Sequence, residues 1–246
     1  MNRRTIILIG ALAMVAAAAF VGWPRLSDLR AFDPAGMARL ETAMWRDYYE
    51  KRYPALFYRL YDLSRSQFGF SPFDSVRIAL SAARAARTFQ PTRSRREADA
   101  ALPDLVTYYG LLQQAAPAAF DVREAAQLEL DWWQARREAF SPRSYGLTVA
   151  EVAALTYGKP RDDPALRQSG IERAEAMGYR DTRGRTMTDQ DWSEIERRLL
   201  GACKLLKAAI AGGWTGAKKP RPRPGLSGCL KSGGDQYFAT TGPPKR

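Results

Sequence analysis

Two stretches of the chain repeat one arrangement of residues able to do chemistry. Glu41 is followed by Trp45, Tyr49 and Arg52, and Glu129 by Trp132, Trp133 and Arg136. On a helix, spacings of three, four and seven residues return to the same face. Each stretch therefore carries a carboxylate, a tryptophan and an arginine on or beside a stripe that is otherwise apolar. A lone charge in an apolar interior is prohibitive. Either Glu41, Arg52, Glu129 and Arg136 pair across two neighbouring helices, or they line a wet pocket walled by Trp45, Tyr49 and Trp133. The pocket gives a candidate binding site of Glu41, Trp45, Tyr49, Arg52, Glu129, Trp133 and Arg136. A catalytic version would use Glu41 and Glu129 as acid and base on a polysaccharide, which requires carboxylates about 5–9 Å apart. A carboxylate-only metal site would suit Mg²⁺ or Ca²⁺ better than zinc.

The remaining composition argues against standard catalytic sets. The chain has no histidine, which removes Ser-His-Asp and Cys-His catalysis and His-containing zinc sites. Neither a Gly-rich phosphate loop nor an EF-hand spacing is present. No catalytic residue, cofactor or metal is assigned, and a binding or scaffold role is favoured over an enzyme. Two cysteines are too few for a disulfide framework. In an exported protein, Cys203 and Cys229 could still form one disulfide. Its loop of about 26 residues would be worth about 3–4 kcal/mol on the chain-entropy account, against which stands an ordinary free, buried thiol.

The elements that position these residues read as helices throughout: an all-α chain with an irregular bundle of about seven helices over residues 33–211. Asp33-Pro34 starts the first, with Asp as N-cap and Pro at N1. Its stripe of Met37, Leu40, Met44, Tyr48, Ala55, Leu56, Leu60 and Leu63 is expected to organise the core and to pack on the fourth helix. Pro54 implies a kink or two abutting helices. Asp47 and Lys51 form an i,i+4 pair on the solvated side. Ser71-Pro72 starts the second helix. Its expected inner face is Val76, Ala79, Leu80, Ala83 and Ala86, with Arg77, Arg84 and Arg87 solvated. Ser94-x-x-Glu97 caps the third, which Pro103 interrupts, and Asp121-x-x-Glu124 the fourth. Thr148-x-x-Glu151 and Asp163-Pro164 start two shorter helices, the second ending near Gly178. They resemble a helix-turn-helix only in order, and nucleic acid is not an expected partner. Thr188 and Asp191 cap the last helix, with Trp192, Ile195, Leu199, Cys203, Leu206 and Ile210 on one face.

The ends point to the compartment. Ile6–Trp23 is a run of 18 residues without a charge, preceded by Arg3-Arg4 and closed by Pro24. A spanning helix needs about 20 apolar residues, with about 17 as the lower limit. A signal peptide cleaved near residue 19 has the same layout. Residues 1–23 thus read as membrane anchor or signal peptide and 24–32 as a short stalk. Residues 212–246 read as a disordered Pro/Gly/Lys/Arg-rich tail. Both export readings place the body outside the cytoplasm, on the periplasmic or extracellular face. The formal net charge of +12 favours anionic partners, here lipid or an envelope polymer met by the tail. The expected function is a membrane-anchored helical binding or scaffold protein of the cell envelope. The alternatives are the carboxylate enzyme and an anionic-surface binder working through the tail.

Overall fold

The computed structural model describes residues 3–22, 27–116, 118–138, 141–184 and 186–211. The chain divides into two units, Met1–Thr215 and Gly216–Arg246. The second unit, and with it the expected tail and Cys229, lies outside the described residues.

Prolines and short polar caps set the helix starts. The helices are α1 (Arg3–Gly22), α2 (Pro34–Tyr49), α3 (Tyr53–Ser66), α4 (Pro72–Phe89), the single turn α5 (Arg95–Ala98), α6 (Leu102–Ala115), α7 (Val122–Arg137), α8 (Pro142–Tyr157), α9 (Pro164–Arg183) and α10 (Asp189–Ala211). No strand occurs among the described residues, so the fold is all-α. Six helices carry proline in their first two positions: α2, α3, α4, α6, α8 and α9. There the missing N–H costs no intrahelical bond. Asp33 accepts from the Gly36 N–H at 2.6 Å, Ser71 from Asp74 at 3.0 Å and Asp121 from Glu124 at 2.9 Å. Thr188 and Asp191 cap α10 reciprocally, at 3.2 and 2.9 Å.

At Pro54 the second of the two expected outcomes holds: it opens α3, and α2 and α3 abut as separate helices. Lys51, at φ 58°, takes the left-handed turn between α2 and α3. Several boundaries differ from the expectation, each for a local reason. Pro103 opens α6 after a 3₁₀ turn at Asp99–Ala101. The fifth helix begins at Ser141-Pro142 and not at Thr148, because the Ser141 hydroxyl already accepts from the Ser144 N–H. The sixth runs past Gly178 to Arg183.

The principal neighbours follow chain order: α2 on α3, α3 on α4, α4 on α6, α6 on α7, α7 on α8, α8 on α9 and α9 on α10, with α10 returning to α2. The expected packing of the first aromatic helix along the fourth is not how they meet. α2 lies on α10 and α3, and α7 lies on α6 and α8. The tightest crossing is α8 on α9. A Cβ at Gly170 would stand 2.3 Å from the Gly146 carbonyl oxygen, and one at Gly146 would stand 2.8 Å from Ile171 Cα.

Three groups of buried side chains form the core. One centres on α6 and α7 (Leu105, Tyr109, Leu112, Leu130). The second lies on α10 (Trp192, Ile195, Leu199, Ile210) and includes Phe32. A smaller one holds Ala135, Tyr145, Ala174 and Met177. Of the expected organising helix only the α2 half joins them: Ala38 belongs to the α10 group with Met37, Trp45 and Tyr49 packed against it, whereas Ser64 is the one buried residue of α3 and no α3 side chain joins any group. On α4 the expected inner face is also turned. Ser75, Ile78, Ala79, Ser81 and Ala85 are buried, while Val76 and Leu80 face solvent with Arg77, Arg84 and Arg87. In the segment read as a stalk, residues 24–26 lie outside the described set. Leu29 and Phe32 are buried, and Lys207 Nζ donates to the carbonyl oxygens of Arg30 and Phe32.

α1 contributes nothing to these groups. Its apolar side chains stand exposed, Leu12 at 73% and Met14 at 71%. Among the described residues no helix is long and apolar enough to cross a membrane. Trp23, which closes the uncharged run, lies outside those residues.

Candidate functional site

The seven candidate residues do not form one pocket. They separate into an interior cluster, an ion pair near the surface and a local pair at the α2–α3 turn.

The interior cluster holds Glu41 and Glu129, with Arg173, a residue the sequence reading missed, paired to the first and within the field of the second. Glu41, on α2, is 5% exposed. Its Oε1 lies 2.5 Å from Nη2 of Arg173 on α9. That contact is an ion pair and not a well-directed hydrogen bond, because Glu41 Oε1 and Arg173 Nε both lack hydrogen-bond partners. Arg173 is amphipathic in placement: its Nε is buried, yet the side chain as a whole is 39% exposed. Glu129, on α7, accepts from the Tyr109 hydroxyl of α6 and from Trp133 Nε1 of its own helix, both at 2.9 Å. Trp133 thus orients the carboxylate instead of walling a pocket. Its ring packs edge-on against Phe89, with centroids 5.1 Å apart.

Electrostatics tie the cluster together. Burial raises Glu41 above the usual carboxylate range; Arg173 opposes that, and the charge of Glu129 adds to it. Arg173 is held above its ordinary value because Glu41 and Glu129 together outweigh its desolvation. Burial pushes the Tyr108 hydroxyl up to about 12, and Glu129 reinforces the shift. Tyr109 is driven well above the phenol range by burial and by Glu129. Cys203, on α10, is a free, buried thiol. Burial and then Glu41 push it up to about 12. A thiol so raised is a poor nucleophile at neutral pH.

The other candidates lie elsewhere. Arg136 grips Asp181 at the end of α9 through Nε at 3.1 Å and Nη2 at 2.8 Å, and donates to the Tyr49 hydroxyl at 2.5 Å. Arg180 lies over the Tyr49 ring, 3.3 Å from its centroid. This is the one direct bridge from α2 to α7 among the candidates. Trp45 is a packing residue between the α10 group and the Ala174–Met177 group. Arg52 does not turn inward. It stands at the N-cap position of α3 without a side-chain capping bond and pairs with Glu50 and with Asp47, the latter at 2.7 Å. Asp47, read as solvated, is 4% exposed, with Arg59 also 3.6 Å away. Lys51 cannot serve it, having left the helix at the turn.

Arg173 was legible in principle. Leu166, Gly170, Ala174 and Met177 mark the buried face of α9, and Arg173 borders it at helical spacing. Asp181 continues the same spacing, four residues after Met177, but it lies near the exposed end of the helix.

Two surface depressions lie apart from the carboxylate cluster. One, of about 250 Å³, is lined by Glu172, Glu175, Arg197 and Arg198. The other, of about 400 Å³, is lined by Tyr179, Arg183, Asp191 and Glu194. Both are open and mostly polar, unlike the apolar clefts that enclose small ligands. Among the described residues no three metal-ligating side chains come together. No protein-family model matches the chain, and no curated protein or solved structure matches it either.

Proposed function

We propose that the protein is a membrane-anchored helical scaffold or binding protein of the cell envelope, held through residues 6–23 with its body outside the cytoplasm. The observation that carries this reading is α1. Its side chains from Ile6 to Val21 are exposed and its large apolar ones are unburied by the body. A helix that is apolar all round needs an apolar environment from somewhere. The full uncharged run of 18 residues reaches the lower limit of about 17 for a span. Cleavage near residue 19 is the alternative, and it would release the same body as an exported soluble protein. The basic tail, with seven Lys/Arg against one Asp after residue 213, suits contact with anionic lipid or an envelope polymer.

A carboxylate enzyme finds less support. Both Glu41 and Glu129 are engaged by partners, and neither lines either of the two surface depressions described above. The test is to express the full chain, extract membranes with alkaline carbonate, and probe spheroplasts with external protease. A carbonate-resistant, protease-accessible body supports anchoring. A soluble body beginning near residue 19 selects cleavage, and a body wholly in the soluble cytoplasm overturns both.

A further inference from the structure

The outward face of α4 carries a pattern that neither the core nor the polar clusters use. Phe73, Val76 and Leu80 recur at helical spacing and are exposed, at 51%, 37% and 41%. Arg84 and Arg87 continue the same stripe, and Arg77 lies beside it with its guanidinium 5.4 Å from the Phe73 ring centroid. α3 packs alongside, and it lies outside all three core groups. It exposes Tyr53 and Tyr58, with Tyr61 next to the Tyr58 ring. Asp74 accepts from the Ser71 hydroxyl at 2.6 Å and lies 3.9 Å from Arg77, a loose surface pair that leaves, among the described residues, Arg84 and Arg87 as the unengaged charges of the stripe's far end. Apolar side chains interleaved with arginine and edged by tyrosine are the composition of a surface that lies at a lipid–water boundary.

We infer that the α3–α4 face is a bilayer-docking surface, which seats Phe73, Val76 and Leu80 among lipid headgroups and pairs Arg77, Arg84 and Arg87 with anionic lipid. The inference rests on the anchoring reading, because α1 is what brings the membrane to this face. Two observations select lipid as the occupant. α1 touches α4, so a bilayer that holds α1 lies close to this helix. The charge also fits: three arginines on one exposed helix face complement an anionic leaflet.

The test uses the full chain in vesicles of phosphatidylcholine with and without phosphatidylserine. An environment-sensitive fluorescent amino acid is placed at Val76 by stop-codon suppression, and a control at Arg123, exposed on α7. Flotation reports the anchor and emission reports the face. The expected result is flotation in both vesicles, with a blue shift at position 76 that is larger with phosphatidylserine, is quenched by shallow lipid quenchers, and is absent at position 123. Arg84→Glu and Arg87→Glu should each lower the lipid-embedded fraction at position 76 by about fivefold or more, given about 1 kcal/mol per basic residue near an anionic surface. A water-like probe at position 76 on protein that floats would overturn the docking face and leave the anchor standing. Failure to float overturns the anchor and the docking face with it. A blue shift that depends on protein concentration and ignores lipid would assign the face to a second copy instead.

Discussion

Replacing Gly170 with alanine should destabilise the protein, although the same change in an unhindered helix would stabilise it. Gly170 sits inside α9, where alanine is the better helix former by about 1 kcal/mol. Against that gain stands the crossing with α8. The new Cβ would lie 2.3 Å from the Gly146 carbonyl oxygen and 2.8 Å from both the Ala150 amide nitrogen and Cβ. Two of those atoms are backbone and cannot swing aside, so α8 must retreat by roughly an ångström, within a core packed at near-crystalline density. Retreat loosens the Tyr145 hydroxyl bond to the Ala174 carbonyl, now 2.8 Å, and the packing around Met177. Overpacking of this kind costs about 1–3 kcal/mol, with more expected where backbone meets backbone. Net of propensity, the expected loss is about 1–2 kcal/mol or larger. Two helix-interior glycines serve as controls. Gly110 has nothing within 4 Å of its would-be Cβ, and Gly201 meets only the end of the Glu172 side chain. Gly110→Ala and Gly201→Ala should each hold stability or raise it by up to about 1 kcal/mol. Urea denaturation of the four proteins reads all of this from midpoints at constant m-value. A Gly170→Ala variant as stable as its two controls would refute the close crossing of α8 and α9.

Two further predictions address the interior cluster. Glu41 has a raised folded pKa from burial, so it binds its proton more tightly folded than unfolded. Its contribution is fully present below the unfolded value, about 4.3, and is lost as pH rises through the folded one. Wild type should therefore gain stability relative to Glu41→Gln as pH falls from neutrality toward 4. A gap in urea midpoints that stays flat or shrinks on acidification would show that Arg173 outweighs burial. Glu129→Gln keeps one acceptor for two donors, Tyr109 and Trp133. It should lose about 1.5–3 kcal/mol, the range for a hydrogen bond to a charged group, and change the emission of Trp133. Unaltered stability and emission together would place Glu129 in solvent.

What the sequence discloses depends on how sharply a residue type declares its environment. On α10 the large apolar groups Trp192, Ile195, Leu199 and Ile210 left one possible face, and all four are buried. On α4 the composition is alanine, serine and arginine, so hydrophobicity barely separates the two sides. Ser75 and Ser81 are buried because a serine is nearly as small as alanine, and Ser81 returns its hydroxyl to the Ile78 carbonyl at 3.0 Å. Sorting them as polar rotated the expected face and hid the exposed Val76 and Leu80. The inward turn of Glu41 was legible because its neighbours Leu40 and Met44 fix the stripe. Its partner was not, because pairing across the body is decided by which helices become neighbours. The aromatic density of α3 misled for a related reason, since tyrosine fits a wet boundary as readily as a core.

The closed ring of helix neighbours has a kinetic consequence. Within that ring, every pairing except one joins helices adjacent in the chain or separated only by the short α5 turn. Such local contacts are cheap in loop entropy and form early. The exception, α10 on α2, spans most of the body and must wait for the others. Glu41 and Arg173 belong to that late step, because they come from α2 and from α9, the helix against which α10 lies. Until the ring shuts, Glu41 is a carboxylate in water without its arginine. The ion pair therefore acts as a latch on the final docking: mutations there should speed unfolding more than they slow folding, the signature of a contact absent from the transition state.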